Sequence, residues 1–176
     1  MTSGHGYEIV RGPWLKRCYT KRRWAPLEYL ILHDPGVDQP AADVVARALR
    51  LNDANPNGRQ ASYHEVFGPD RDGVVRAHLQ VRAEDAAWHS GRDSRIPGTD
   101  WRNRYVNAAS YGLAFPWPWW DARPGIVRRV VDLCREHSIP ASHVFAHREV
   151  ASMRADPRHI GNMDAFRSRL AATLAG

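Results

Sequence analysis

Leu27-Glu28-Tyr29-Leu30-Ile31-Leu32-His33 is the stretch on which the fold turns. Apart from Glu28 and the closing histidine it is a continuous apolar run of strand length, the pattern of a central strand buried on both faces. Asp34-Pro35-Gly36 stops it, because Pro and Gly together turn the chain. Downstream, Pro40 to Leu51 carries apolar residues at helical spacing, including Val44, Val45, Ala48 and Leu49, and Asn55-Pro56-Asn57-Gly58 is a turn. Ser62 to Phe67 and Gly73 to Leu79 read as a strand pair joined through Pro69-Asp70-Arg71-Asp72-Gly73. Ser110 to Phe115 is a further short strand. Ile126 to His137 predicts a helix with Ile126, Val127, Val130, Val131 and Cys134 in one stripe and Arg128, Arg129, Asp132 and Arg135 toward water. Val144 to Ala146 is a last strand leading into His147, and Asp164 to Leu174 an amphipathic helix with Phe166, Leu170 and Leu174 inward. Strands interleaved with helices predict an α/β sheet with helices packed on it. Upstream, residues 1–26 are basic and aromatic, broken by Gly12, Pro13 and Pro26, and read as an irregular arm packed on a single domain over 27–176.

Composition sets outer bounds. The chain has 176 residues, 43% hydrophobic and 25% charged, which suits one well-formed core. Its formal net charge of +6 attracts anions such as nucleic acid, a phosphate-rich wall or an anionic membrane. The basic residues are scattered among acidic ones rather than gathered in a patch, which argues against nucleic acid. No apolar run reaches the length of a membrane span. The opening Met-Thr-Ser-Gly-His-Gly-Tyr lacks the basic and apolar stretches of a secretory signal, so synthesis in the cytoplasm without an export signal is expected. Cys18 and Cys134 form no disulfide framework.

Position makes three of the candidate ligands informative. His33 ends a buried strand, His147 follows Val144-Phe145-Ala146 in the same way, and Asp156 lies nine residues further on, before Pro157. Two imidazoles and a carboxylate make a typical open catalytic zinc set. The same residues equally suit strand ends and a turn, and no His-Glu-x-x-His motif ties them together.

Five segments, in order, resemble one family. Leu30-Ile31-Leu32-His33-Asp34 resembles its strand ending in a zinc histidine, and Ala61-Ser62-Tyr63-His64 with Asp72-Gly73 its Tyr-His strand and hairpin. Ala87-Trp88-His89-Ser90-Gly91 is similar to its Ala-Trp-His-x-Gly signature, and Asn107-Ala108-Ala109-Ser110-Tyr111-Gly112-Leu113 to its Asn-x-x-Ser-Ile-Gly-Ile strand. Ala146-His147-Arg148-Glu149-Val150-Ala151 and Arg154-Ala155-Asp156-Pro157 resemble its second histidine and third ligand. The family is that of the zinc-dependent N-acetylmuramoyl-L-alanine amidases, which includes phage lysozyme-type amidases and peptidoglycan recognition proteins.

The resemblance implies a mixed central sheet flanked by helices and one Zn2+ per chain on His33, His147 and Asp156. It implies hydrolysis of the amide between the lactyl group of N-acetylmuramic acid and L-alanine, as in a phage endolysin or a small bacterial wall enzyme. Peptidoglycan or a muropeptide is then the partner, with anionic wall polymers met by the +6 charge. Tyr63 and Arg154 match the catalytic tyrosine and lysine of the phage enzymes, whereas Ala114 stands where many members carry a glutamate. Arginine holds its proton, so oxyanion stabilisation is the role expected of Arg154. Asp34 and Glu149 are the acids near the ligand segments that could replace the glutamate. Asp34, His64, Trp88, His89 and Asn107 are the substrate-groove candidates, and Trp117, Trp119 and Trp120 form an aromatic loop suited to sugar stacking or core cover. His5, His78, His137, His143 and His159 show no pattern and are expected at the surface. Loss of the glutamate also leaves open a module that binds peptidoglycan with little or no hydrolysis, and the Trp-Pro loop a zinc amidase for another amide.

Overall fold

The computed structural model describes residues 6–21, 23–54, 61–91, 93–100, 102, 104–116, 124–158 and 160–176. Its strands are β1 (Glu8–Arg11), β2 (Tyr19–Thr20), β3 (Tyr29–His33), β4 (Glu65–Pro69), β5 (Val75–Leu79), β6 (Ala86–Ala87), β7 (Ser110–Ala114) and β8 (Val144–Ala146). Its helices are α1 (Ala41–Ala54), α2 (Arg104–Ala109), α3 (Pro124–His137), α4 (His147–Val150) and α5 (Met163–Ala175), with a 3-10 turn at Ala141–His143. Every residue of β3 is buried, as the apolar run requires. β3 lies inside a six-stranded sheet of order β1-β5-β4-β7-β3-β8. β4, β7, β3 and β8 run parallel, while β5 is antiparallel to β4 and carries β1 parallel to itself, so the sheet is mixed. β2 and β6 form a separate small ribbon.

Alternation along the strands divides the core. Leu30, Leu32, Phe67, Leu113 and Phe115 pack with Val130, Val131, Phe166 and Leu170 from α3 and α5. On the other face Tyr29 and Ile31 meet Val106, Ala109 and Val150, and Val66 and Ala114 meet Ala41, Val44 and Val45 of α1. α1 starts where Asp70 Oδ1 accepts the Ala42 N–H at 2.7 Å, and α5 where Asn162 Oδ1 accepts from Asp164 and Ala165 at 2.9 and 3.0 Å. These side chains satisfy donors that a helix start leaves open.

Three expectations are corrected. Arg129 does not face water: it is 4% exposed and donates to Glu65 at 2.8 and 2.6 Å, because β4 places a carboxylate under α3. His78 is buried and bonded to Asp70 at 3.0 Å. The segment 1–26 is not irregular throughout, since β1 forms a sheet edge, its alternation of half-buried and exposed residues masked by the polar ends of Glu-Ile-Val-Arg. Cys18 and Cys134 are both buried and neither forms a disulfide among the described residues. No helix among the described residues is long and apolar enough to cross a membrane. The turn at Asn55–Gly58, the loop of Trp117, Trp119 and Trp120, and His5 and His159 lie outside the described residues.

Candidate metal centre

β3 and β8 are neighbours with Leu32 opposite Ala146, so their chains leave the sheet together and bring His33 and His147 to one edge. The carboxyl ends of parallel strands are the usual place for a site in an open α/β sheet. Asp156 arrives on the return loop after α4. Its carbonyl accepts the Arg148 N–H at 2.8 Å and its Oδ2 accepts the Asp34 N–H at 3.2 Å. The Arg148 guanidinium holds the rest of the loop by donating to the carbonyls of Pro157 and Ile160.

One ligand atom from each of His33, His147 and Asp156 lies within 4.8 Å of the others. His147 Nδ1 is 3.0 and 3.1 Å from the two Asp156 oxygens, and His33 Nδ1 is 3.6 Å from Oδ2. His147 Nε2 donates to the Ser90 carbonyl at 3.1 Å, which leaves Nδ1, on the Asp156 side, as the nitrogen that can offer a lone pair. Among the described residues, His33 Nδ1 is buried without a hydrogen-bond partner. A buried orphan nitrogen, a second imidazole nitrogen and a carboxylate facing one point suit a cation. The donor set fits zinc, with two imidazoles, one carboxylate and one position open. Burial, with His147 next to it, pushes the His33 pKa down to about 4. Burial by itself would raise the Asp156 carboxyl, but hydrogen bonding and charge from His147 and His33 in their protonated state outweigh it and hold that group well below the usual carboxylate range.

The centre opens on a cleft of about 590 Å³ lined by Asp34, Pro35, Gly36, Arg154, Asp156 and Arg158, among others. The Tyr63 ring lies 5.1 Å from that of His33. Burial and the Asp156 charge raise the Tyr63 pKa while Arg154 opposes them, so the phenol keeps its proton at neutral pH and can donate. Asp34 accepts the Gly36 N–H on Oδ1 at 2.7 Å. Ala114 is paired in register with His33 but packs under α1, which leaves a methyl where a carboxylate was sought. Glu149 caps the Ala146 N–H at 2.8 Å and pairs with Arg167 at 3.0 Å, so its carboxylate is committed to the fold.

The remaining candidates stand behind the centre or beside it. His89 is buried, with Nδ1 3.0 Å from His33 Nε2. Asn107 Oδ1 accepts from the His89 and Ser90 N–H groups at 3.1 and 2.9 Å, holding the loop whose carbonyl meets His147. His64 is fully enclosed, and Trp88 is 39% exposed with its indole N–H on Thr20 Oγ1 at 3.1 Å. None of these four lines the cleft. Arg158 in the cleft wall and Ser110 behind His89 are not among the residues expected at the site. The only available signals were a second arginine after the Asp-Pro step and the serine's place in the Ser-x-Gly strand.

The fold is similar to that of several solved structures. A mutant endolysin from Bacillus subtilis matches with TM-score 0.65 and 18% identity, over 93% of this chain and 99% of that one. The catalytic domain of XlyA matches with TM-score 0.63 and 19% identity over 93% and 99%, and a selenomethionine derivative of AmpD with TM-score 0.58 and 21% identity over 93% of each. No curated protein sequence matches the chain. The family model described as N-acetylmuramoyl-L-alanine amidase matches residues 23–159, a span that includes His33, Tyr63, His147 and Asp156. With that match over most of its length, the chain belongs to the N-acetylmuramoyl-L-alanine amidase family.

Proposed function

We propose that this amidase is zinc-dependent, holds one Zn2+ through His33, His147 and Asp156, and cleaves the bond between the lactyl carbonyl of N-acetylmuramic acid and L-alanine. The observation that carries this is the convergence of the orphan His33 Nδ1, the His147 Nδ1 and the Asp156 carboxylate within 4.8 Å at the cleft. Zinc at such a site supplies Lewis-acid polarisation of a carbonyl and acidifies water toward ~7. The protein's own residues supply the rest. Tyr63 donates its phenolic proton as a hydrogen bond to the oxyanion that forms on the lactyl carbonyl, and Arg154 adds a fixed positive charge from the cleft wall. Asp34, the cleft carboxylate that is not a ligand in this reading, takes the proton released when water attacks and passes it to the L-alanine nitrogen as the C–N bond breaks. The +6 charge favours residence on anionic wall polymers, and the site of action is the bacterial wall, as for an endolysin.

A second reading, a module that binds muropeptide with little hydrolysis, is favoured by Ala114 alone. Purified peptidoglycan separates the two. Mass analysis after incubation is expected to show new L-alanine amino termini and free lactyl carboxyls, with no new reducing sugar ends. Chelation should abolish these products and added zinc restore them. Reducing ends would sink the reading, and muropeptide binding without products would establish the second one.

A further inference from the structure

His33 is backed by an unusual partner. The second ring nitrogen of a metal-binding histidine ordinarily meets a carboxylate, a carbonyl or water. Here His33 Nε2 lies 3.0 Å from Nδ1 of another neutral, buried histidine, His89, and His89 Nε2 lies 3.1 Å from Ser110 Oγ. Geometry alone leaves both imidazole tautomers open, but the end of the chain does not. Ser110 Oγ also makes a short hydrogen bond to the Val106 carbonyl, which can only accept. The serine proton is therefore spent there, and Ser110 Oγ must accept from His89 Nε2–H. A neutral imidazole has one donor and one acceptor, so His89 Nδ1 is the acceptor and His33 Nε2 the donor. What remains on His33 is a lone pair at Nδ1, the buried atom aimed at His147 and Asp156.

We propose that Val106, Ser110 and His89 form a one-way hydrogen-bond relay that fixes the tautomer of His33, making His89 and Ser110 positioning residues for the metal. The inference rests on reading His33 as a ligand. Gly112 is part of the same device. A Cβ at that position would come within 2.6 Å of His89 Cγ, and its three nearest neighbours are all atoms of the His89 ring. Ser110 and Gly112 share one face of β7, so the strand provides the relay's terminus and the slot in which His89 lies. Because every member is neutral, the relay sets direction without adding a negative charge behind the metal.

The test uses the full chain with 15N-labelled histidine, stripped of metal. Long-range proton–nitrogen correlation is expected to show His33 and His89 both as Nε2–H tautomers. Ser110→Ala removes the terminus, and both rings should become tautomer mixtures. Zinc affinity, read by competition with a chelating dye, should fall about 10–100-fold in His89→Leu and in Gly112→Ala. His89→Asn sets an amide oxygen near the place of Nδ1 and should recover most of the parental affinity. An Nδ1–H tautomer of His33 in the parent, or parental affinity in His89→Leu, overturns the relay. A parent that takes up no zinc would overturn the metal reading instead, while the tautomer measurement would still decide the relay.

Discussion

Replacing His64 by asparagine should make the metal-free protein less sensitive to acid. His64 is fully enclosed. Its Nδ1 accepts the Gly112 N–H at 2.9 Å, its Nε2 faces the Asp85 carbonyl at 3.0 Å, and the Arg23 guanidinium lies 3.1 Å from Nε2. A second proton could enter only at Nδ1, against the Gly112 N–H and next to a cation. Burial first, and Arg23 after it, push the pKa from 6.5 down to about 3. In the unfolded chain the ring titrates near ~6.5. Between those values the unfolded state binds more protons, so stability rises with pH there and falls on acidification. At pH 4.5, about two pH units below the unfolded value, this ring alone has cost roughly 2.7 kcal/mol relative to neutral pH. Asparagine keeps an acceptor for Gly112 and cannot titrate, but gives up the bond to Asp85, a loss of about 1 kcal/mol at every pH. Urea unfolding of both metal-free proteins at pH 7 and pH 4.5 measures the difference, with His33 and His89 acting alike in each. The parent's advantage of about 1 kcal/mol at pH 7 should reverse to a deficit of roughly 1.7 kcal/mol at pH 4.5, a change of approximately 2.7 kcal/mol. Equal losses in the two proteins would refute the reasoning.

Other outcomes follow from the cleft and the core. Tyr63→Phe should lower turnover roughly a hundredfold or more with zinc content unchanged, measured at equal metal occupancy; near-parental turnover would remove Tyr63 from the mechanism. Arg154→Lys should keep more activity than Arg154→Ala in the same assay, because the charge in the cleft wall survives. Arg129→Leu leaves Glu65 buried without its bidentate partner and should cost about 3–5 kcal/mol in urea unfolding, whereas Arg71→Met at an exposed pair should cost less than about 0.5 kcal/mol.

The central strand was legible because Leu27 to His33 is apolar on both faces, and β8 because Val144 to Ala146 repeats that pattern in short form. The antiparallel β4–β5 pair was legible through its Asp-Gly turn, where Gly73 takes a φ of +77°. β1 was not, since an edge strand with polar ends carries little hydrophobic signal. Arg129 defeated the helical pattern because its reason for burial, Glu65, lies 64 residues away and leaves no local trace. At the site, strand-end position pointed to His33 and His147 and a place before Pro157 to Asp156, but only resemblance tied the three into one ligand set, because a loop carboxylate has no periodicity to betray it. His89 illustrates a different limit. Its motif marked it as part of the site, but which side of His33 it occupies depends on Gly112 being flat enough to receive its ring.

The most direct test of the account is the metal content of the purified protein and its ligand variants. Elemental analysis after dialysis is expected to find one zinc per chain in the parent and almost none in His147→Ala and Asp156→Ala, with both variants still folded. Stoichiometric zinc retained by folded His147→Ala would contradict the assignment of His33, His147 and Asp156 as the metal centre.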